Sequence, residues 1–352
     1  MKRAMAAALL AAIIVTPACH RRARQEARGL VSHKPSTIAF TGYKSSVKVK
    51  AKPMEVDQYL RDLTYFNVRT EDARLKVAPG QSLRNLGDGA DIKVEVLGIP
   101  FPSRFVMVQH QPGEQIWLIA EVDRSVMSIL RMEMKPMEDG TRVTLKMELE
   151  DTSSLVGQFS QAVNAPEILA RLIEQGMAVG QAHFDPSITP EQLLAQGIRG
   201  EYFSAFYQAH EASIWVNAST AKVDQYLKDG KTWERYNAQY KIGIGQCALL
   251  KDSTPCPIQL KLLGFDYDLN SFIFPSKPEE TTAYWVSSQL VSRMKIFLKP
   301  ERSGSRLTFS YAMETPLAMS QEGRNLLINI AQMPSLMEKM LLDAKRDREG
   351  AI

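Results

Sequence analysis

Histidine is the residue type in this chain whose chemistry is easiest to recognise, and its spacing excludes several kinds of site. The five histidines stand at positions 20, 33, 110, 183 and 210, and none lies at ligand spacing from another or from a cysteine. We therefore expect no metal site and no cofactor. His210-Glu211 is not followed by a second histidine at position 214, so the histidine pair of a zinc-protease helix is missing. No G-x-S-x-G sequence occurs, which removes the nucleophile elbow of serine hydrolases.

His110 is the one histidine that could serve as a general base, because it lies in a strand-like stretch of the first half. The matching region of the second half contains no histidine. A histidine paired with another side chain, in the core or at the surface, is therefore the preferred interpretation, and the prediction names no catalytic residue.

The three cysteines and the amino terminus indicate export. Met1-Lys2-Arg3, the apolar run from Ala4 to Val15 and Thr16-Pro17-Ala18-Cys19 form the three parts of a secretory leader. The last four residues resemble the lipobox of bacterial lipoproteins, in which the cysteine is acylated. We rank a periplasmic lipoprotein first, a soluble secreted protein second and an organelle-targeted protein third.

Cys247 and Cys256 remain if Cys19 is acylated, and an even number of cysteines suits an oxidising compartment. They bracket the turn-like sequence from Lys251 to Pro255, so a disulfide between them is possible. Two free buried thiols are the alternative if the protein stays in a reducing compartment.

The charge balance argues against one class of partner. The chain of 352 residues has a formal net charge of +4, and its basic residues are not gathered into stripes. A nucleic-acid partner therefore has no electrostatic support.

One stretch occurs twice and organises the rest of the chain. Val56-Asp57-Gln58-Tyr59-Leu60 returns as Val223-Asp224-Gln225-Tyr226-Leu227, and further matches keep their order at separations of 164 to 168 residues. Repeat units of solenoid proteins run to only about 50 residues, so this is a duplicated globular domain. Each copy shows a strand, a short helix, several strands joined by short turns, and a long amphipathic helix.

This order of elements resembles the helix-grip architecture of the START-like superfamily, also called SRPBCC, which includes polyketide cyclase/dehydrase-like and lipid-transfer domains. The resemblance implies an α+β fold with two tandem domains, each a curved antiparallel sheet closed by a long carboxyl-terminal helix. We predict a leader at 1–19, a basic tether at 20–41, a first domain at 42–184, a linker at 185–207, a second domain at 208–346 and a tail at 347–352.

The same resemblance implies a cavity that holds a lipid or another hydrophobic small molecule, bound or transported without covalent chemistry. The pocket-lining residues we expect are Leu169, Leu172, Ile173 and Met177 in the first closing helix, Met337, Met340 and Leu341 in the second, and Trp285 and Phe297 in strands. Gly176 and Gly180 leave room for a ligand or allow close packing on a strand. A cyclase- or hydratase-like enzyme and an interaction module with filled cores are the alternatives. The partners expected are a hydrophobic molecule and, through the amino terminus, a membrane surface.

Overall fold

The computed structural model describes most of the chain from residue 31 onwards. The described ranges are 31–63, 66–121, 126–150, 165–229, 231–232, 234–235, 242–244, 255–262, 265–277, 280–286, 291–314 and 321–350. The predicted leader, the acylated Cys19 and Cys247 lie outside these ranges. We use "first repeat" for residues 31–184 and "second repeat" for residues 201–350.

The first repeat begins with a long strand and ends with a long helix. Its strands are β1 (Ser32–Val49), β2 (Val68–Arg69), β3 (Ala73–Val77), β4 (Gly89–Val96), β5 (Ile99–Gln111), β6 (Glu114–Glu121), β7 (Val126–Met137) and β8 (Gly140–Glu150). Its helices are α1 (Pro53–Arg61) and α2 (Ala165–Phe184). Strands β4 to β8 lie close to where alternation and turn residues predict them, whereas the short β2 and β3 were not predicted.

After the short helix α3 (Pro190–Ala195), the second repeat again has a strand, a short helix, a run of strands and a long helix, with seven described strands where the first repeat has eight. Its strands are β9 (Glu201–Val216), β10 (Ile242–Ile244), β11 (Cys256–Leu262), β12 (Phe265–Lys277), β13 (Glu280–Val286), β14 (Val291–Glu301) and β15 (Gly304–Glu314). Its helices are α4 (Thr220–Lys228) and α5 (Gln321–Glu349). Helix α3 begins where Thr189 caps it by accepting a hydrogen bond from the Gln192 amide.

All these strands form one antiparallel sheet that runs through both repeats. Its order is β10-β11-β12-β13-β14-β15-β9-β1-β8-β7-β6-β5-β4-β3-β2, so β1 and β9 meet at its centre. The described fold is therefore a large antiparallel sheet with few helices. The division into two separate domains remains a prediction, because no break in hydrogen bonding separates them.

The predicted tether and linker are wrong in part, since both contain strand. Residues 32–44 of β1 pair with β9 from Ser32↔Ser213 to Lys44↔Glu201. The sequence pattern missed this pairing because residues 33–37 are exposed and polar, which resembles a solvated linker. Their backbone groups are bonded to the neighbouring strand even though their side chains face water.

Both faces of the first-repeat sheet are buried. Phe105 and Met107 of β5 pack in the core beneath α2, whereas Val106 and Val108 belong to a cluster with Phe272 of the second repeat. Burial on both sides explains why β5 and β6 carry nearly continuous apolar runs instead of alternating ones. Packed side chains therefore cover the face of the sheet that is turned away from α2.

Candidate functional site

A cavity of about 170 Å³ lies between α2, α1 and the sheet of the first repeat. An engineered apolar cavity of about 150 Å³ is known to hold benzene, so this space is large enough for a small ligand. Strand residues form most of its wall: Val47, Val49, Val68, Leu75, Ile92, Val94, Val96, Phe101, Phe105, Ile119, Leu130, Val143, Leu145, Met147 and Leu149. Phe66 joins them from the segment before β2.

Helix α2 supplies the opposite wall, as its amphipathic spacing predicts. Leu172, Ile173 and Met177 line the cavity, and each is under a tenth exposed. The side chain of Leu169, the fourth residue expected there, lies outside the described part of the structure. Ligand contact by these residues remains a prediction.

The repeated sequence supplies a further part of the wall. Val56, Tyr59 and Leu60 of α1 all line the cavity. Sequence analysis placed them on one helix face but did not assign them to the site. The recurrence of these residues in both repeats is the sequence signal that could have assigned them to the site. The same pattern also fits residues that only pack in the core.

A network around Asp57 fixes α1 against the sheet. The carboxylate of Asp57 lies 3.1 Å from Nε2 of His110, accepts a 2.7 Å hydrogen bond from Gln115 and pairs with Arg61 at 2.9 Å. Gln115 in turn accepts a 3.0 Å hydrogen bond from the indole of Trp117. His110 is therefore a paired histidine, and it is not among the residues that line the cavity.

Three of the described lining residues carry polar side chains: Tyr59, Ser128 and Gln181. Ser128 is only 3% exposed. No lining residue of the described cavity has a charged side chain. The wall of the described cavity is therefore almost entirely apolar and offers no ion pair to a bound molecule.

A second network fastens α2 to β1. The hydroxyl of Tyr43 donates to the carboxylate of Glu174 on α2. The backbone amide of Gly200, just before β9, donates to the Tyr43 oxygen at 2.7 Å. Burial raises the pKa of Tyr43, and the bond to Glu174 raises it further. Through Tyr43, helix α2 over the cavity is thus connected to the residue just before the second repeat.

Ligand contact by the residues predicted to line a pocket in the second repeat remains a prediction. Met337, Met340 and Leu341 of α5 are at most 4% exposed and pack in a hydrophobic core with α4, β9, β14 and β15. Met294 and Leu298 of β14 face this core, so Phe297 lies on the other side of that strand. The side chain of Trp285 lies outside the described part.

Two further expectations concern ions and cysteines. Among the described residues, no group of three or more histidine, cysteine or acidic side chains is arranged to hold a metal ion. Cys256 is disulfide-bonded, but Cys247 lies outside the described ranges, so their pairing remains a prediction.

No helix in the described residues has the length and apolar character needed to cross a membrane.

Comparison with known proteins gave solved structures but no family model and no curated protein. StfQ, a di-domain ARO/CYC (aromatase/cyclase) from the steffimycin biosynthetic pathway, matches over 88% of this chain and 98% of its own, at 10% identity and a TM-score of 0.34. BexL, a di-domain ARO/CYC from the BE-7585A pathway, matches over 87% and 98%, at 10% identity and a TM-score of 0.31. CV1439 of Chromobacterium violaceum covers 41% of this chain and 97% of its own, at 13% identity and a TM-score of 0.33.

StfQ and BexL are described as aromatase/cyclases, in contrast to the expectation of a protein without covalent chemistry. The START-like resemblance, the lipoprotein, the signal peptide, lipid transport and the periplasmic location remain predictions.

Proposed function

We propose that the first repeat is a helix-grip domain that binds a hydrophobic small molecule in the cavity under α2 and acts on it as a cyclase- or hydratase-like enzyme. The observation that carries the proposal is the cavity itself, which combines an apolar wall with three polar groups. This combination is the ordinary composition of a small-molecule site. The main support for this function is therefore the cavity and not the likeness to StfQ and BexL.

Binding would be driven by removal of apolar surface from water, at about 25 cal/mol per Å² buried. The three polar groups would fix the orientation of the bound molecule. Ser128 and Gln181 can donate hydrogen bonds to a carbonyl oxygen. In ring closure a carbon–carbon bond forms as the carbonyl π bond breaks, and solvent base takes the α-proton of the attacking carbon. The phenol of Tyr59 can donate a proton to the resulting alkoxide and regain one from water.

The lipid ligand favoured by the sequence is a narrower form of this proposal. A charged lipid headgroup would find no partner along the described cavity wall, and an unpaired buried charge is expensive. An uncharged hydrophobic molecule is therefore favoured over a phospholipid.

Export and acylation of Cys19 are also proposals, and the mass of the mature protein isolated from membranes tests them.

The enzymatic proposal is tested with Tyr59→Phe, which keeps the ring in the cavity wall and removes the hydroxyl. A synthetic linear polyketone whose ring closure and dehydration give an absorbing aromatic product serves as substrate. We expect wild-type protein to accelerate this reaction and Tyr59→Phe to lower kcat by about 100-fold with little change in KM. Tyr202→Phe is the matched control, since Tyr202 is 54% exposed. An unaccelerated reaction with wild-type protein refutes the enzymatic role.

A further inference from the structure

The strand register of the first repeat brings together basic residues that are far apart in the sequence. Lys48 on β1, Arg142 on β8 and Lys135 on β7 lie directly opposite one another, and Lys44 on β1 lies opposite Lys146 on β8. Their neighbours in each strand face the core under α2, so these five side chains lie on the other face of the sheet. We call the five residues the cation face. Like charges directly opposite one another destabilise a sheet, so this arrangement costs stability.

The two cations on the middle strand β8 have no counter-ion. The cations beside them have acidic partners: Lys48 with Asp139, Lys135 with Glu133, and Lys44 with Glu201. Arg131 continues the second row on β7 and lies 3.5 Å from the buried Glu148. Within the described part of the chain, the side chains of Arg142 and Lys146 form no ion pair. Arg142 is exposed and Lys146 is half-buried, so an external anion can reach both.

The second repeat shows that the fold does not require these charges. Its strands β9, β15 and β14 pair in the same register as β1, β8 and β7. The positions equivalent to Lys44, Lys48 and Lys146 hold Glu211, Trp215 and Ser310. Arg306, the counterpart of Arg142, donates a 2.9 Å hydrogen bond to Glu301. The same architecture thus forms with both rows interrupted, so the cation face is not needed to build the sheet.

An acidic residue separates the two rows. Thr144 lies between Arg142 and Lys146 on β8, and Glu133 lies opposite Thr144 on β7. Glu133 is in turn opposite Glu114 on β6. Residues four apart on a strand are separated by about 13–14 Å, which is the spacing of the two rows. A continuous polyanion would meet the two glutamates between the rows, whereas separate carboxylates at the spacing of the rows would not.

We propose that the cation face is a docking surface for an acidic protein segment, with one carboxylate over Arg142 and another over Lys146. Charge complementarity supports this occupant, because each carboxylate would meet a cation that lacks a counter-ion and further cations on the adjacent strands. Arginine also offers a carboxylate a planar fork of N–H donors. The surface lies on the opposite side of the sheet from the cavity. It therefore adds an interaction to the proposed function and does not depend on it.

Two labelled peptides of equal composition test the spacing by fluorescence anisotropy with the whole chain at low salt. The spaced peptide has four Glu-Ser-Ser-Ser repeats, which place carboxylates about 13–14 Å apart when extended. The clustered peptide has its four glutamates in a row, followed by the serines. We expect the spaced peptide to bind at least about threefold more tightly than the clustered one, and added salt to weaken its binding.

Equal binding of the two peptides, or no binding of either, overturns the docking surface. Heparin and phosphatidylglycerol vesicles are tested alongside the peptides. Binding of heparin or vesicles without binding of the spaced peptide assigns the surface to a polyanion or a membrane and likewise overturns the proposal.

Matched variants then locate the surface. The double variant Arg142→Gln, Lys146→Gln removes the two cations that lack counter-ions. We expect it to bind the spaced peptide at least about tenfold more weakly, while its thermal unfolding midpoint stays unchanged or rises because fewer like charges face each other. Lys222→Gln, Lys299→Gln changes two exposed residues of the second repeat, alters the net charge equally and should bind as wild type does. Undiminished binding by the folded Arg142→Gln, Lys146→Gln protein, or an equal loss in the control, overturns the assignment.

Discussion

Tyr43 on β1 donates a hydrogen bond to Glu174 on α2, and the same tyrosine oxygen accepts one from the amide of Gly200. The helix over the cavity is thereby tied to the central strand and to the segment that leads into the second repeat. Tyr43 is 5% exposed, so its side chain cannot exchange this contact freely for water.

Removing the Tyr43 hydroxyl should loosen α2. Tyr43→Phe removes the hydrogen bond from the tyrosine hydroxyl to Glu174. The Glu174 carboxylate keeps a 3.4 Å hydrogen bond from the Gly200 amide. We expect the free energy of unfolding to fall by about 1–3 kcal/mol and amide hydrogen exchange in α2 to speed up. Tyr202→Phe, on an exposed ring beside Tyr43, is the control and should change neither quantity. Unchanged exchange in α2 after Tyr43→Phe would rule out this role.

The Asp57 network predicts a larger loss. Asp57→Ala removes one carboxylate that serves His110, Gln115 and Arg61 at once, and its side chain is only 12% exposed. We expect destabilisation of about 2–4 kcal/mol in urea unfolding, because buried donors are left without their acceptor. Asp139→Ala, which breaks a surface ion pair with Lys48, should change the stability much less, because water and salt screen that pair. Similar losses for the two variants would contradict the structural role of Asp57.

Two histidines on the paired strands β1 and β9 predict that the stability of the protein depends on pH. Nδ1 of His33 lies 2.8 Å from Nε2 of His210, and burial, followed by the neighbouring His33, lowers the pKa of His210. A histidine whose pKa is lower in the folded state binds a proton more readily when unfolded, so stability rises with pH.

The loss of stability should therefore appear as pH falls below about 6.5, the ordinary histidine value. His210→Gln should flatten this part of the stability profile measured by urea unfolding. The neighbouring Glu211 opposes the effect by raising the pKa of His210. A wild-type profile that stays level down to pH 5, or one that His210→Gln leaves unaltered, would disprove this prediction.

Gly180→Ala alone should stabilise the protein. The added methyl group meets Tyr59 at ordinary contact distance, and alanine is the better helix former. We expect an increase of about 0.5–1 kcal/mol in the free energy of unfolding, seen as a higher urea midpoint with an unchanged slope. A lower midpoint would show that the position is more tightly packed than the distances indicate.

Much of the first repeat was predictable, because local patterns determine it. The spacing of Leu172, Ile173 and Met177 marks the buried face of α2, and the turns between β4 and β8 are marked by glycine, proline and aspartate. Residues 32–41 were missed because pairing with a distant strand, and not local hydrophobicity, makes them a strand. No local signal reports such a partner.

The site itself was less predictable than the fold. Met337 and Met340 show the same helical spacing as the residues that line the cavity, and they pack in a hydrophobic core with α4, β9, β14 and β15. Periodicity identifies the buried face of a helix but does not tell whether that face meets side chains or space. The contribution of Tyr59 and Ser128 depends on which strands and helices curve around them, which only the assembled sheet reveals.

The measurement that bears most directly on the central claim is native mass spectrometry of the whole chain with acetylnaphthalene. We compare wild-type protein, Gly176→Leu, whose new side chain enters the cavity, and Gln175→Leu, whose side chain does not. One bound molecule per chain is predicted for wild type and Gln175→Leu, and none for a folded Gly176→Leu. Absence of binding to wild type, or equal binding to Gly176→Leu, would contradict a ligand site under α2.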